Sequence, residues 1–208
     1  MKKSLLNAFT LSSTLALAFA TSAALAAASV GQPAPAFTAK TVDGKTVSLA
    51  DFKGKHVVLE WINPGCPFVV KHYSSGNMQG TQKMAADKDV VWLAINSTAT
   101  DQKDYMAPAA LGGWMKQQKA AATATLMDEA GTVGKAYGAR TTPHMYIVNP
   151  AGTVVYAGAI DSKPTANQAD IATATNHVKV ALGETLAGQA VSLAQTRPYG
   201  CSVKYSSM

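Results

Sequence analysis

The chain has 208 residues, of which 48% are hydrophobic and 14% are charged, and its formal net charge is +6. This length predicts one globular domain with a sizeable core rather than two domains. The lysines are scattered and the sequence has no basic run, so the composition gives no support for a nucleic-acid partner.

Residues 1–28 have the pattern of a bacterial secretory signal peptide. Lys2 and Lys3 precede an uncharged apolar run, and Ala24 and Ala26 satisfy the Ala-x-Ala cleavage rule. The alternative is an uncleaved anchor helix in the inner membrane, because the apolar run is just long enough to span a bilayer. The pattern favours cleavage near the end of this segment. The mature protein would then be periplasmic or secreted, with no stable membrane association.

Between residues 31 and 186, strand patterns alternate with helix patterns. Predicted strands cover residues 56–62, 88–98 and 123–130, and a hairpin with its turn at 149–152 is predicted over 143–161. Four helices are predicted. The first covers residues 68–86 and loosens at Gly76, the second begins near Pro108, and the last two cover residues 131–139 and 166–189. This alternation predicts an α/β sheet with parallel crossovers and an antiparallel hairpin. Residues 187–208 are predicted to form an extended C-terminal tail.

A cysteine stands where the first buried strand gives way to a helix, in the sequence VVLEWINPGCPFVVKHY. Residues 63–65, Asn-Pro-Gly, break the strand, and Pro67 fits the first turn of a helix. Cys66 is therefore predicted at a helix N-terminus, where the helix dipole and free N–H groups favour a thiolate. The alternative is an ordinary buried thiol. Lys71 and His72 follow on the same helix and are interpreted as surface or packing residues rather than as charges that act on the thiol.

The chain has only two cysteines, Cys66 and Cys201, and they allow one intramolecular pairing. In an exported protein both are candidates for disulfide chemistry, structural or catalytic. There is no Cys-x-x-Cys motif, because the third residue after Cys66 is Val69. The four histidines do not cluster with the cysteines at ligand spacing, so no metal site is predicted.

Glu60 is an acid inside the apolar strand that precedes Cys66. Burial without an ionic partner would raise the pKa of this carboxyl group and suit it to pass protons to and from sulfur. The alternative is that Glu60 points to a wet edge of the sheet or bonds to a lysine.

The segment VVLEWINPGCP resembles the strand, turn and helix at the redox site of the thioredoxin superfamily, in which a carboxylate stands six residues before the first cysteine. Thr142-Pro143 resembles the Thr-Pro of that superfamily, which normally has a cis peptide bond and packs against the reactive sulfur. The sequences CPFVVKHY and GCSVKY are similar to the two cysteine motifs of the alkyl hydroperoxide reductase/thiol-specific antioxidant group, in its peroxiredoxin-like branch. The resemblance covers residues 31–205.

The resemblance implies a thioredoxin-like α/β fold over residues 31–186, with a mixed central sheet flanked by helices. It also implies a thiol-dependent oxidoreductase without a cofactor. Cys66 would attack a peroxide or a protein disulfide, Cys201 would resolve the intermediate, and an external thiol would reduce the product. The remaining residues implied at the site are Glu60, Asn63, Arg140, Pro67, Thr142 and Pro143.

Some positions depart from the peroxiredoxin pattern. Asn63 stands where the family has Thr or Ser, and Leu59 stands where it has proline. Arg140 is a candidate for the arginine that stabilises the thiolate, and its alternative reading is a surface residue. The alternative function is a non-catalytic thioredoxin-fold protein, for binding or structure, with a permanent Cys66–Cys201 disulfide. A mobile tail would instead let Cys201 bridge to a second subunit, so the sequence is also compatible with an oligomer.

Overall fold

The computed structural model describes residues 27–206, so the predicted signal peptide lies outside them except for its last two residues. The strands are β1 (Thr38–Thr41), β2 (Thr46–Ser48), β3 (Val57–Trp61), β4 (Val91–Asn96), β5 (Ala124–Met127), β6 (Thr141–Thr142), β7 (His144–Val148), β8 (Val154–Gly158) and β9 (Cys201–Ser202). The helices are α1 (Pro67–Ser74), α2 (Asn77–Ala86), α3 (Pro108–Gln117), α4 (Thr132–Tyr137) and α5 (His177–Leu186).

Seven strands form one mixed sheet in the order β2-β1-β5-β4-β3-β7-β8. The three central strands β5, β4 and β3 are parallel, and the strands outside them pair antiparallel. The predicted parallel crossovers and the predicted hairpin, β7–β8, are therefore confirmed. This mixed sheet flanked by helices is a thioredoxin-like fold, as the resemblance implied.

The core lies on both faces of the sheet, because successive side chains of a strand point to opposite faces. On β3, Val58 joins a cluster with residues of α1, α2, α3 and α5, whereas Leu59 and Trp61 join the opposite cluster with residues of α4. Every residue of β3 is buried, which confirms the prediction of a central strand covered on both faces.

Two helix predictions had the wrong extent. The helix predicted over 68–86 is two helices, because Gly76 between them has a left-handed φ of 76°, at the point where loosening was predicted. The helix predicted over 166–189 is a short 3-10 helix, Gln168–Thr173, followed by α5. Asn176 separates them, since its side chain accepts a hydrogen bond from the N–H of Lys179 and so caps α5.

The tail runs back along the domain, where it bridges to the edge of the seven-stranded sheet and forms a separate two-stranded sheet with β6. Gln195 forms a parallel bridge with Ala157 on the edge strand β8, and β9 pairs antiparallel with β6. Gly158 lets the tail approach closely, because a Cβ atom there would overlap atoms of Thr196. The tail is thus extended, as predicted, and it is docked on its own chain. Within residues 27–206, no helix has the length and apolar character needed to cross a bilayer.

Candidate active site

Cys66 lies at the N-terminus of α1, directly after the turn that ends β3. Its backbone is extended, with φ −87° and ψ 120°, and Pro67 occupies the first helical position. Asn63 shapes the turn, because its side-chain oxygen accepts a hydrogen bond of 2.8 Å from the N–H of Gly65 and its carbonyl accepts one of 2.9 Å from the N–H of Cys66. The predicted position of Cys66 at a helix start is confirmed, and Asn63 acts on the backbone of the turn.

The thiol of Cys66 is 1% exposed and faces β6. Its Sγ lies 3.0 Å from the carbonyl oxygen of Thr142, to which it donates a hydrogen bond. The peptide bond between Thr142 and Pro143 is cis, as the resemblance implied. The residues expected on either side of the site, Cys66 and the Thr-Pro pair, therefore meet.

Cys201 reaches Cys66 within the same chain. On β9 it lies opposite Thr142, whose carbonyl oxygen binds the other thiol, and it packs against the core cluster that contains Cys66. Both cysteines are free thiols, with Cys66 buried and Cys201 partly exposed.

The two thiols have pKa values shifted in opposite directions. Burial opposes ionisation of Cys66, but hydrogen bonds to its thiolate outweigh this effect, the largest from the side chain of Cys201, and the pKa of Cys66 is lowered. Burial raises the pKa of Cys201 to about 12, and the hydrogen bond and charge of Cys66 add to this effect. Of the two thiols, Cys66 is therefore the one that ionises more readily.

Glu60 is fully buried in a polar cluster on β3, α1, α2 and β4. It accepts hydrogen bonds from Trp92 Nε1 at 2.7 Å, Tyr73 Oη at 3.0 Å and Gln82 Nε2 at 3.2 Å. Burial raises its pKa to about 7 in spite of these donors. The alternatives of a wet edge or a lysine partner are wrong. Among the described residues these three are the hydrogen-bond partners of Glu60, so the carboxyl group does not contact Cys66 directly.

Arg140 lies just before β6 and is exposed. Burial lowers the pKa of His144, and the charge of Arg140 adds to this effect, so that the pKa is about 4. Burial raises the pKa of Tyr146, and the charge of Arg140 opposes this rise. Among the described residues, the groups that shift the pKa of Cys66 do not include Arg140. The structure thus brings Cys201, Thr142 and Pro143 to Cys66, and among the described residues Arg140 forms no hydrogen bond with its thiol.

Sequence reasoning missed a second buried polar cluster beside the site. Lys71 is 1% exposed and His72 is 0% exposed, so the surface interpretation of these two residues is wrong and the packing interpretation is right. Both lie close to Asp161, which follows β8, and His72 also contacts Tyr199 of the tail. The one sequence signal for this cluster is an acid at the end of an apolar hairpin strand, YAGAID. Within residues 27–206, no group of three or more histidines, cysteines and acids could hold a metal ion.

Comparison with known proteins agrees with this geometry. Residues 30–157 match the AhpC/TSA family. The chain belongs to the AhpC/TSA family. The AhpC/TSA match covers β1 to β8 together with Cys66 and the cis-proline turn, and it ends before the tail. The predicted membership of the AhpC/TSA group is thereby confirmed.

Relatives of this AhpC/TSA protein include the thiol-disulfide oxidoreductases ResA of Bacillus thuringiensis subsp. konkukian and of Bacillus cereus. Each is 26% identical over 133 residues, which cover 61% of this chain and 67% of the relative. Among solved structures, an uncharacterized conserved protein from Geobacillus kaustophilus is 29% identical with a TM-score of 0.74, over 86% of this chain and 94% of that one. A hypothetical protein from Sinorhizobium meliloti 1021 has the same TM-score at 23% identity, over 88% and 98%. The two solved structures agree with the mixed α/β fold described above.

Proposed function

We propose that the protein is an exported thiol-dependent oxidoreductase of peroxiredoxin-like type, with Cys66 as its redox nucleophile and Cys201 as the resolving cysteine of the same chain. One observation carries the proposal. The thiol of Cys66 binds the carbonyl oxygen of Thr142, the residue that pairs with Cys201, and the pKa values of the two thiols are shifted in opposite directions so that Cys66 ionises first. A thiolate is the attacking species in thiol exchange and in peroxide reduction.

In the first step the Cys66 thiolate attacks a disulfide or a peroxide. A disulfide gives a mixed disulfide and a leaving thiolate. A peroxide gives the sulfenic acid of Cys66 and a hydroxide or alkoxide, which takes up a proton. The ResA relatives support the disulfide substrate, and the peroxiredoxin-like cysteine motifs support the peroxide.

In the second step the sulfur of Cys201 attacks the sulfur of Cys66. A Cys66–Cys201 disulfide forms, and the second thiolate or a water molecule leaves with the proton of Cys201. An external thiol reductant then returns both cysteines to thiols by two successive exchanges. The pairing of β9 with β6 supports this step, because it places Cys201 opposite Thr142, whose carbonyl oxygen binds the thiol of Cys66.

The other residues of the site have supporting roles in this proposal. Asn63 and Pro67 hold the turn and the helix start that present Cys66, and Thr142 accepts the hydrogen bond of its thiol. Glu60, with a pKa of about 7, can donate and accept protons near neutral pH during the reactions of the two thiols. Its protons would reach the thiols through an intermediary such as water, because its own contacts are with other residues.

Stopped-flow oxidation of the reduced protein, followed by mass spectrometry, tests the function. We expect hydrogen peroxide or a small disulfide to oxidise Cys66 faster than it oxidises free cysteine, and the product to contain a Cys66–Cys201 bond. Cys66→Ser should abolish the reaction, and Cys201→Ser should stop it at the sulfenic acid or the mixed disulfide. A wild-type rate no faster than that of free cysteine, and unchanged in Cys66→Ser, refutes the redox function.

The alternative is a structural Cys66–Cys201 disulfide in a non-catalytic protein. The close docking of the tail, with Gly158 against Thr196, also suits a permanent bond. The reduction potential separates the two functions, because structural disulfides lie below about −300 mV and active pairs lie higher.

Export is the remaining part of the proposal, and it is supported by the pattern of residues 1–28. Mass spectrometry of protein purified from a bacterial periplasm should show an N-terminus among residues 26–29. Retention of residue 1, with the protein in the membrane fraction, would favour the anchor helix instead.

A further inference from the structure

The polar cluster around Asp161 lies between α1 and the tail, and the proposed redox steps do not use it. Asp161 is 3% exposed, and its Oδ2 lies 3.6 Å from Nζ of Lys71 and 3.8 Å from Nε2 of His72. The hydroxyl group of Tyr199 donates a hydrogen bond to Oδ1 of Asp161 and lies 3.2 Å from Nε2 of His72. We call Asp161, Lys71, His72 and Tyr199 the Asp161 cluster.

Tyr199 is the tail's member of this cluster, and it stands two residues before Cys201. Its ring packs edge-on against Phe68 at 5.8 Å between centroids, and Nζ of Lys71 lies 5.7 Å from the ring centroid. On α1, Lys71 and His72 lie three and four residues after Phe68, so the three side chains share one face of the helix. The helix that presents Cys66 at its first turn thus binds the tail through its next turn.

Burial makes these contacts strong. A buried lysine or carboxylate is costly unless it is paired, and Asp161 is the acid that lies within ion-pair distance of Lys71 among the described residues. The hydrogen bond from Tyr199 to Asp161 lies within the same buried cluster, so its loss should weaken the attachment of the tail measurably.

We propose that Asp161 and Tyr199 are positioning residues of the redox pair: their hydrogen bond holds the tail on α1, so that Cys201 meets Cys66 and covers it. This inference rests on the proposed function, in which Cys201 resolves Cys66. The Asp161 cluster would then control two rates. One is the rate at which bulky reagents react with Cys66, and the other is the rate at which Cys201 attacks Cys66 after that reaction.

Both rates can be read with an aromatic disulfide that releases a coloured thiolate. The Cys66 thiolate attacks one sulfur of the reagent and releases the first aromatic thiolate. Cys201 then loses its proton to the buffer, and its sulfur displaces the second aromatic thiolate to form Cys66–Cys201. Because Cys66 is 1% exposed and the tail pairs with the strand that binds its thiol, we expect the first step to require opening of the tail. In the mixed disulfide, the aromatic group on Cys66 occupies the position that Cys201 holds in the reduced protein. The rate at which the second aromatic thiolate is released therefore depends on how strongly the tail docks.

The experiment compares wild type, Tyr199→Phe and Tyr137→Phe by stopped-flow absorbance of the full mature chain. Tyr137→Phe is the matched control, because it also removes a hydroxyl group from a largely buried ring, and that group donates 2.8 Å to the carbonyl of Pro35, outside the tail. We expect Tyr199→Phe to speed the first release about tenfold and to slow the second about tenfold, which corresponds to about 1.4 kcal/mol of docking free energy. Asp161→Asn should change both rates in the same directions by more. Tyr137→Phe should leave both rates at the wild-type values.

The opposite signs of the two changes separate positioning from loss of overall stability. Wild-type rates in Tyr199→Phe, or equal changes in Tyr199→Phe and Tyr137→Phe, overturn the inference. If the wild type releases only the first thiolate, the proposed resolving role of Cys201 fails. The first release alone then decides the inference, because a faster release in Tyr199→Phe still supports tail attachment through Asp161 and an unchanged one refutes it.

Discussion

Replacement of Glu60 by glutamine should remove a specific part of the pH dependence of stability. Burial raises the pKa of Glu60 from 4.5 to about 7. The folded protein therefore binds a proton that the unfolded chain releases between these pH values, and the free energy of unfolding falls as the pH rises through this range. A pKa raised from 4.5 to about 7 corresponds to about 3 kcal/mol.

Urea denaturation of the reduced protein at about pH 4.5 and about pH 8 measures this effect. The loss of stability between the two pH values should be about 3 kcal/mol larger in wild type than in Glu60→Gln. His72 and His144, whose pKa values burial lowers to about 4, produce a pH dependence of opposite sign. They are present in both proteins, so their effect cancels in the comparison.

Trp92→Phe tests the cause of the raised pKa of Glu60 by removing a donor that lowers it. Nε1 of Trp92 is the strongest of the donors that lower the pKa of Glu60. Without it the pKa should rise further, and the pH at which stability is lost should move upward although the variant is less stable at every pH. The reasoning fails if Glu60→Gln keeps the full pH dependence of wild type.

Two further predictions concern the cysteine pair. Cys201→Ala removes the largest hydrogen bond to the Cys66 thiolate, so the pKa of Cys66 should rise in an ultraviolet thiolate titration, and an unchanged pKa would mean that Cys201 does not stabilise the thiolate. Gly200 has φ 131°, and a Cβ atom there would overlap the carbonyl oxygen of Thr142. Gly200→Ala should therefore displace the tail and speed alkylation of Cys66. Gly80→Ala, where a Cβ atom meets nothing within 4 Å, is the control and should leave the rate unchanged.

The surroundings of Cys66 could be predicted from the sequence because local signals determine them. A continuous apolar run gives β3, Asn-Pro-Gly ends it, and Pro67 begins the next helix. The left-handed Gly76 could likewise be anticipated as a break, since glycine is favoured there. The meeting of Cys201 with Cys66 came from a family resemblance and not from any local pattern. It depends on the pairing of β9 with β6, about sixty residues away in the chain.

The Asp161 cluster could not be predicted because its partners are distant in sequence. Lys71 and His72 look like ordinary surface charges on a helix until Asp161 and Tyr199 are brought against them. Propensity and periodicity describe one element at a time, whereas the burial of a charge depends on which residues other elements supply. The same limit applies to Arg140, where the family pattern suggested a thiolate partner and the structure places an exposed residue.

The bridge between Gln195 and β8 has a consequence for solubility. An edge strand with free N–H and C=O groups is a template for pairing with other chains. On β8, Ala157 satisfies both of its outward backbone groups with the tail, through the carbonyl of Ala194 at 3.0 Å and the N–H of Thr196 at 3.1 Å. A chain shortened before residue 194 would therefore lose more than a cysteine, because it would leave the backbone groups of Ala157 on β8 unpaired, and we expect it to aggregate more readily by edge-to-edge association.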